Sequence, residues 1–259
     1  MTRREICVKR IVLVAIIILA AATVSSAGET IKRIMVYGDS NSFGWLTNAN
    51  GTVGRFPLDV AWPGVMGKTL GQGHEVVVEA LGGRTTNLYG PDFTGSGNVG
   101  GAGMNGAVYL PPALSSHMPL DLVIIMLGTN DLRSEFDRAP EDIAAGVIEL
   151  VDIIRRATWQ SRTNFTAPQV LVISPPKVDI QSGPIAELFR GALVKAEVLP
   201  NLLRSLIEQR SGVHFFDAAT VIPFAGQPDE IHLTRENHAA LGRAVAMEVQ
   251  SVFAGAAIP

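Results

Sequence analysis

Cysteine is nearly missing from this 259-residue sequence, which holds only Cys7. Beyond that position no disulfide, thiol nucleophile or cysteine-built metal site can form. Charge is sparse as well, at 17% of residues, and leans acidic, with 21 lysines and arginines against 24 aspartates and glutamates. A nucleic-acid binder needs the opposite sign gathered on one face, and no such basic cluster is present. Long hydrophobic runs are equally scarce. The one that stands out, Ile11 to Val24, falls short of the roughly 20 residues that cross a bilayer. No internal repeat or linker marks a second domain.

That apolar run has the surroundings of a secretory leader. Arg3, Arg4, Lys9 and Arg10 precede it, and Ser25-Ser26-Ala27 offers small residues for cleavage. Residues 1–27 are therefore expected to be a signal peptide. Residues 28–259 then form a single mature domain, secreted or periplasmic, without a stable membrane anchor. Cys7 lies ahead of the run, so it is not the lipidated cysteine of a lipoprotein. Cleavage would remove four basic residues and one acid, leaving 17 basic against 23 acidic side chains, a more acidic mature protein. The remaining length is ordinary for one α/β domain with a substantial core.

Along the chain, strand and helix signals alternate. Ile34 to Tyr37, Val76 to Ala80, Leu120 to Leu127, Val170 to Ser174 and Val213 to Phe216 read as strands. The third is almost entirely β-branched or leucine, as expected of a strand covered on both faces. Ile143, Val147, Leu150, Val151 and Ile154 recur at helical spacing after Pro140 and two first-turn acids. Leu241, Val245, Val249 and Val252 repeat the pattern behind a candidate N-cap, Thr234. Strands separated by helices imply a mostly parallel five-stranded sheet, covered on both faces. One stretch breaks this economy: Thr85 to Met118 is long and glycine-rich, and is expected to be a loop forming a rim on a pocket or an oligomer contact. Within it, Gly95-Ser96-Gly97-Asn98-Val99-Gly100 imitates a dinucleotide fingerprint, but no strand feeds it and no apolar helix follows.

Four short blocks carry the chemistry: Gly38-Asp39-Ser40, Gly82-Gly83, Gly128-Thr129-Asn130-Asp131 and Asp229-Glu230-Ile231-His232. Acyl transfer by serine needs a hydroxyl, an imidazole to take its proton, a carboxylate to fix that imidazole, and donors aimed at the developing oxyanion. The blocks supply one of each, and three of them follow strands, where open α/β sheets bind ligands. Asp229 and His232 are three apart, close enough on one turn for the carboxylate to hold the ring. His238 is the rival imidazole, but it falls inside the last helix and has no carboxylate three residues ahead. Asp39 and Asp131 are read as orienting backbone. The nucleophile elbow of the α/β-hydrolases is absent, because Ser42 stands where that motif needs glycine.

These blocks resemble blocks one, two, three and five of the SGNH hydrolases, also called GDSL esterases. The similarity to their aryl esterase/acyltransferase branch runs through Gly38 to Trp45, Phe56 to Val65, Gly83 to Asn87, Asn105 to Asn130 and Asp229 to Thr234. The resemblance implies a flavodoxin-like three-layer sandwich and hydrolysis of short-chain or aryl esters, with acyl transfer to alcohols as a side activity. It assigns Ser40, Asp229 and His232 as the catalytic triad, and the Ser40 N–H, the Gly83 N–H and the Asn130 side chain as oxyanion donors, with Gly82 a one-residue slip away. Phe43, Trp45 and Thr129 are the candidate substrate contacts, although Phe43 departs from the large aromatic usual at its position. No cofactor and no metal are implied, and the partner is a small-molecule ester. Two other readings stand beside this one: a secreted carbohydrate O-acetyl esterase with the same triad, and a non-catalytic binding protein that keeps the fold.

Overall fold

The computed structural model describes residues 30–89, 101–156, 165–180, 182, 184–226 and 228–255. The expected signal peptide and the dinucleotide-like tract at 95–100 lie outside the described residues. The chain divides into two compact units, Met1–Thr30 and Ile31–Pro259, and the sheet with its covering helices belongs to the second.

In chain order, the elements are β1 (Lys32–Gly38), α1 (Ser40–Phe43), β2 (Trp45–Thr47), β3 (Val53–Arg55), α2 (Trp62–Leu70), β4 (His74–Ala80), α3 (Gly101–Met104) and α4 (Gly106–His117). There follow β5 (Leu122–Met126), α5 (Pro140–Ile154), β6 (Gln169–Ser174), α6 (Pro184–Leu188), α7 (Ala192–Ile207), β7 (Val213–Asp217) and α8 (Arg235–Ala254). Five strands form a parallel sheet in the order β4-β1-β5-β6-β7. The order reverses at β1, so the carboxyl ends of β1 and β5 flank a topological switch point.

Alternation along the strands builds the three layers. Ile34 and Val36 face one side with Leu122, Ile124 and Met126, where Trp62 and Met66 of α2 and Leu241, Val245 and Val249 of α8 cover them. Met35 and Tyr37 face the other side with Val123 and Ile125, under Leu110 and Leu114 of α4, Ile143 and Val147 of α5 and Leu199 of α7. Because both faces are covered, Leu122 to Met126 is buried at every position. Thr234 caps α8 by accepting from the Asn237 N–H at 3.1 Å.

The glycine-rich segment is not simply a loop. Its described part from Gly101 onward is helical, and Met104, Leu110 and Leu114 are fully buried. Asn105 starts α4 by accepting from the Val108 N–H at 3.2 Å, and burial of the apolar face outweighs the backbone bonds lost at Pro111 and Pro112. The antiparallel hairpin of β2 and β3, turning through Asn50-Gly51, also lay beyond the strand reading.

Candidate active site

Gly38 ends β1, and a Cβ there would fall 2.2 Å from the Ser42 hydroxyl oxygen, so glycine permits the tight passage from strand into α1. Asp39 caps that single turn, its carboxylate accepting from the Asn41 N–H at 2.9 Å. Ser40 therefore opens the helix at the carboxyl edge of the sheet, next to the switch point.

Its hydroxyl meets an imidazole from the far end of the chain. Ser40 Oγ lies 2.9 Å from His232 Nε2, and His232 Nδ1 lies 2.7 Å from Asp229 Oδ2. The other Asp229 oxygen accepts from the N–H groups of Ile231 and His232 at 3.1 and 2.9 Å. Glu230 makes this tight turn with φ 59°. A carboxylate facing Nδ1 keeps the ring proton there and leaves the Nε2 lone pair toward the hydroxyl. Burial alone would raise the Asp229 carboxyl, but the hydrogen bond and charge of His232, with the Thr47 hydroxyl, hold it well below the usual carboxylate range.

Donors surround the same point. Neither the Ser40 nor the Gly83 N–H has a hydrogen-bond acceptor among the described residues. Gly83 sits at φ 83° in the turn closed by the Arg84 N–H on the Leu81 carbonyl, a conformation that favours glycine. Asn130 follows β5 and donates one amide N–H to the Arg84 carbonyl at 3.0 Å, which fixes the amide plane and leaves its second N–H for another acceptor.

A cavity of about 320 Å³ opens over these groups. Gly82, Gly83 and Asn130 line it beside Ser40, together with Trp45, His232 and Ile231. Ile185, Leu188, Phe189 and Arg133 complete the lining. Trp45 stacks on the His232 ring, centroids 5.6 Å apart and planes 24° from parallel.

Two expected substrate contacts lie elsewhere. Phe43 packs under the Arg55 guanidinium, 3.8 Å from its ring centroid, and lines a separate cavity of about 420 Å³. Its ring is taken up by that cation–π contact. Thr129 is 2% exposed, helps hold the Asp39 carboxyl down, and does not line the cavity. Asp39 itself is pushed up to about 6 by burial, against the Asn41 N–H, His232 and Thr129. Asp131 is likewise raised by burial, and binds the Thr86 N–H and hydroxyl and Arg138. Both aspartates orient backbone, as read from the sequence.

His238 does not compete for the serine. It is fully buried, its Nδ1 accepts from the Trp62 N–H at 3.2 Å, and Phe56 meets its ring edge-on. Burial pushes it down to about 4. His117 pairs with Glu79, and His214 with Gln169. Among the described residues no group of three or more histidines, cysteines or acids could hold a metal.

Sequence reasoning missed Arg133, Ile185, Leu188 and Phe189 as cavity walls. The last three share one face at positions i, i+3 and i+4, but α6 has five residues, too few for a periodic signal.

The sequence model of the GDSL-like lipase/acylhydrolase family matches residues 36–240. A carbohydrate acetylesterase from Sinorhizobium meliloti superposes with a TM-score of 0.78 at 37% identity, covering 86% of this chain and 100% of that one. The native aryl esterase of M. smegmatis gives 0.77 at 41% identity, covering 85% and 99%. A second S. meliloti protein, a carbohydrate acetylesterase family member, gives 0.74 at 33% identity, covering 86% and 99%. No curated protein matches the chain by sequence.

Proposed function

Since this chain belongs to the GDSL-like lipase/acylhydrolase family and is a carboxylic ester hydrolase of the serine type, we propose that Ser40 is its nucleophile, His232 its general base and Asp229 the acid that orients the base. The observation that carries the assignment is the unbroken line from Ser40 Oγ through His232 to Asp229, at 2.9 and 2.7 Å, on the floor of the cavity.

In the acylation step Ser40 Oγ bonds to the ester carbonyl carbon and its proton passes to His232 Nε2. The carbonyl oxygen takes up the negative charge and is received by the N–H groups of Ser40 and Gly83 and the free amide N–H of Asn130. Collapse breaks the bond to the alcohol, and His232 returns the proton to the departing oxygen. Water then attacks the acyl-serine, again giving its proton to His232, and the acid leaves as Ser40 recovers its hydrogen. An alcohol in place of that water gives acyl transfer by the same steps.

Substrate class follows from the walls. Trp45, Ile185, Leu188, Phe189 and Ile231 offer apolar surface in the cavity that holds Ser40, suited to an aryl or short alkyl ester. The second reading, hydrolysis of O-acetyl groups on carbohydrate, draws on the S. meliloti relative and on Arg133 in the wall. Rates on phenyl acetate and on an acetylated sugar separate the two, with phenyl acetate expected to be preferred. Mass spectrometry after reaction with an organophosphate is expected to place the adduct on Ser40, and an adduct elsewhere overturns the assignment. Residues 1–27 are proposed as a secretory leader, tested by the N-terminal sequence of the exported protein.

A further inference from the structure

Arg84 is buried at 2% exposure, yet no carboxylate accepts a hydrogen bond from it among the described residues. Its Nη1 donates to the Gly38 carbonyl at 3.0 Å and to the Glu79 carbonyl at 2.5 Å. The guanidinium lies over the Tyr37 ring at 4.3 Å and the Tyr109 ring at 5.1 Å from their centroids. The Glu79 carboxylate is engaged by His117. Burial pulls the group down from its ordinary range, while Tyr37, Glu79, Tyr109 and Asp39 act against that; arginine remains a cation under such pressure.

A buried cation without an ion-pair partner is costly, and the backbone it grips is informative. Gly38 is two residues before Ser40, and Glu79 is near the end of the strand that runs into Gly82-Gly83. The Gly38 carbonyl also accepts from the Leu81 N–H at 3.1 Å, tying the two strand ends together. The Arg84 N–H closes the Gly82-Gly83 turn on Leu81, and the Arg84 carbonyl receives the Asn130 amide at 3.0 Å. Each of the three segments that present an oxyanion donor is therefore anchored to one residue, the first through its side chain, the second through its N–H, the third through its carbonyl.

Resting on the assignment of Ser40, Gly83 and Asn130 as oxyanion donors, we propose that Arg84 is the positioning residue of the oxyanion site: its guanidinium and backbone set the spacing of all three donors. The positive charge, bonded to the carbonyl that lies two residues before the nucleophile, adds a field that favours the tetrahedral oxyanion over the neutral ester. Catalysis gains from such fixed donors because they need no reorganisation when charge develops.

The test compares Arg84→Met and Arg84→Lys with the unaltered protein on phenyl acetate. Methionine keeps the length and apolar contacts but neither donates nor carries charge, so kcat is expected to fall on the order of 100-fold with KM within about threefold. Lysine keeps the charge but has no planar fork to lie flat on Tyr37 while bridging two carbonyls, and an intermediate loss of about tenfold is expected. Phenylboronic acid, which forms a tetrahedral adduct with the serine, should lose affinity by the same factor as kcat/KM falls. Phenol, a planar product that develops no oxyanion, should keep its inhibition constant. Should Arg84→Met fail to fold, Arg84→Lys decides by the same three readouts. Variants that keep kcat within twofold, or lose it with boronate affinity unchanged, overturn the proposal. An unaltered protein that neither cleaves phenyl acetate nor is labelled at Ser40 would instead overturn the functional reading beneath it.

Discussion

Asn41 holds the backbone on both sides of His232: its amide donates to the Ile231 carbonyl at 3.1 Å, and its oxygen accepts from the Leu233 N–H at 3.0 Å. The residue after the nucleophile thus locks the peptide groups flanking the base, across a sequence separation of 190 residues. Asn41 is 1% exposed, so both bonds are shielded from water. Asn41→Ala would leave two buried backbone groups unpaired, at about 2 to 4 kcal/mol of stability. The loosened imidazole should lower kcat roughly 10- to 100-fold. Urea unfolding and phenyl acetate kinetics on one preparation measure both; an unchanged kcat would show that the clamp does not position His232.

Asn130 offers a sharper test of the oxyanion assignment. Its amide is held by the Arg84 carbonyl, so Asn130→Ala removes one oriented donor together with that bond. A loss of about 100- to 1000-fold in kcat is expected, with KM nearly constant, because the contact is made to charge that exists only in the transition state. Ser40→Ala should abolish turnover by on the order of a millionfold. If Asn130→Ala raised KM and spared kcat, the side chain would be a ground-state contact.

Much of this arrangement was legible because its parts are local. Gly38, Asp39 and Ser40 each answer to a demand of one turn: close approach, capping and a leading hydroxyl. Asp229 and His232 are joined by the turn that contains them. The parallel sheet was legible from runs such as Leu122 to Met126, buried at every position. What escaped depends on the folded neighbourhood. Nothing near Asn41 in sequence shows that its amide will meet Ile231 and Leu233. Phe43 stands three residues from Ser40, yet the hairpin carrying Arg55 takes its ring. Gly106 to His117 was hidden because Pro111 and Pro112 argue against a helix, a penalty that only tertiary burial of Leu110 and Leu114 outweighs.

Trp45 serves two surfaces at once, lining the cavity and stacking on His232. Trp45→Ala should raise KM for phenyl acetate about tenfold or more through lost apolar contact. In the same cavity lining Leu188 is 38% exposed, so Leu188→Glu should fold normally and weaken aryl esters selectively. The ratio of rates on phenyl acetate and an acetylated sugar measures this. A ratio that both substitutions left unmoved would place the aryl group outside these walls.

Two buried groups make stability depend on pH in opposite directions. His238 is pushed down to about 4 in the folded protein, whereas an unfolded histidine titrates near 6.5. Between those values the unfolded chain binds the extra proton, so stability from this group is complete above about pH 6.5 and is lost as pH falls toward 4, by roughly 3 kcal/mol in all. Asp39 is raised to about 6, above the unfolded value of about 3.9. Here the folded state binds the extra proton, so stability is greatest at low pH and declines as pH rises toward 6, by a similar amount. His238→Asn keeps an acceptor for the Trp62 N–H but cannot titrate. Relative to that variant the unaltered protein should lose stability from pH 6.5 to 4; relative to Asp39→Asn it should gain over the same interval. Urea midpoints at pH 4, 5, 6 and 7 measure both differences, and slopes of the same sign for the two pairs would mean that one of these groups does not titrate as its burial requires.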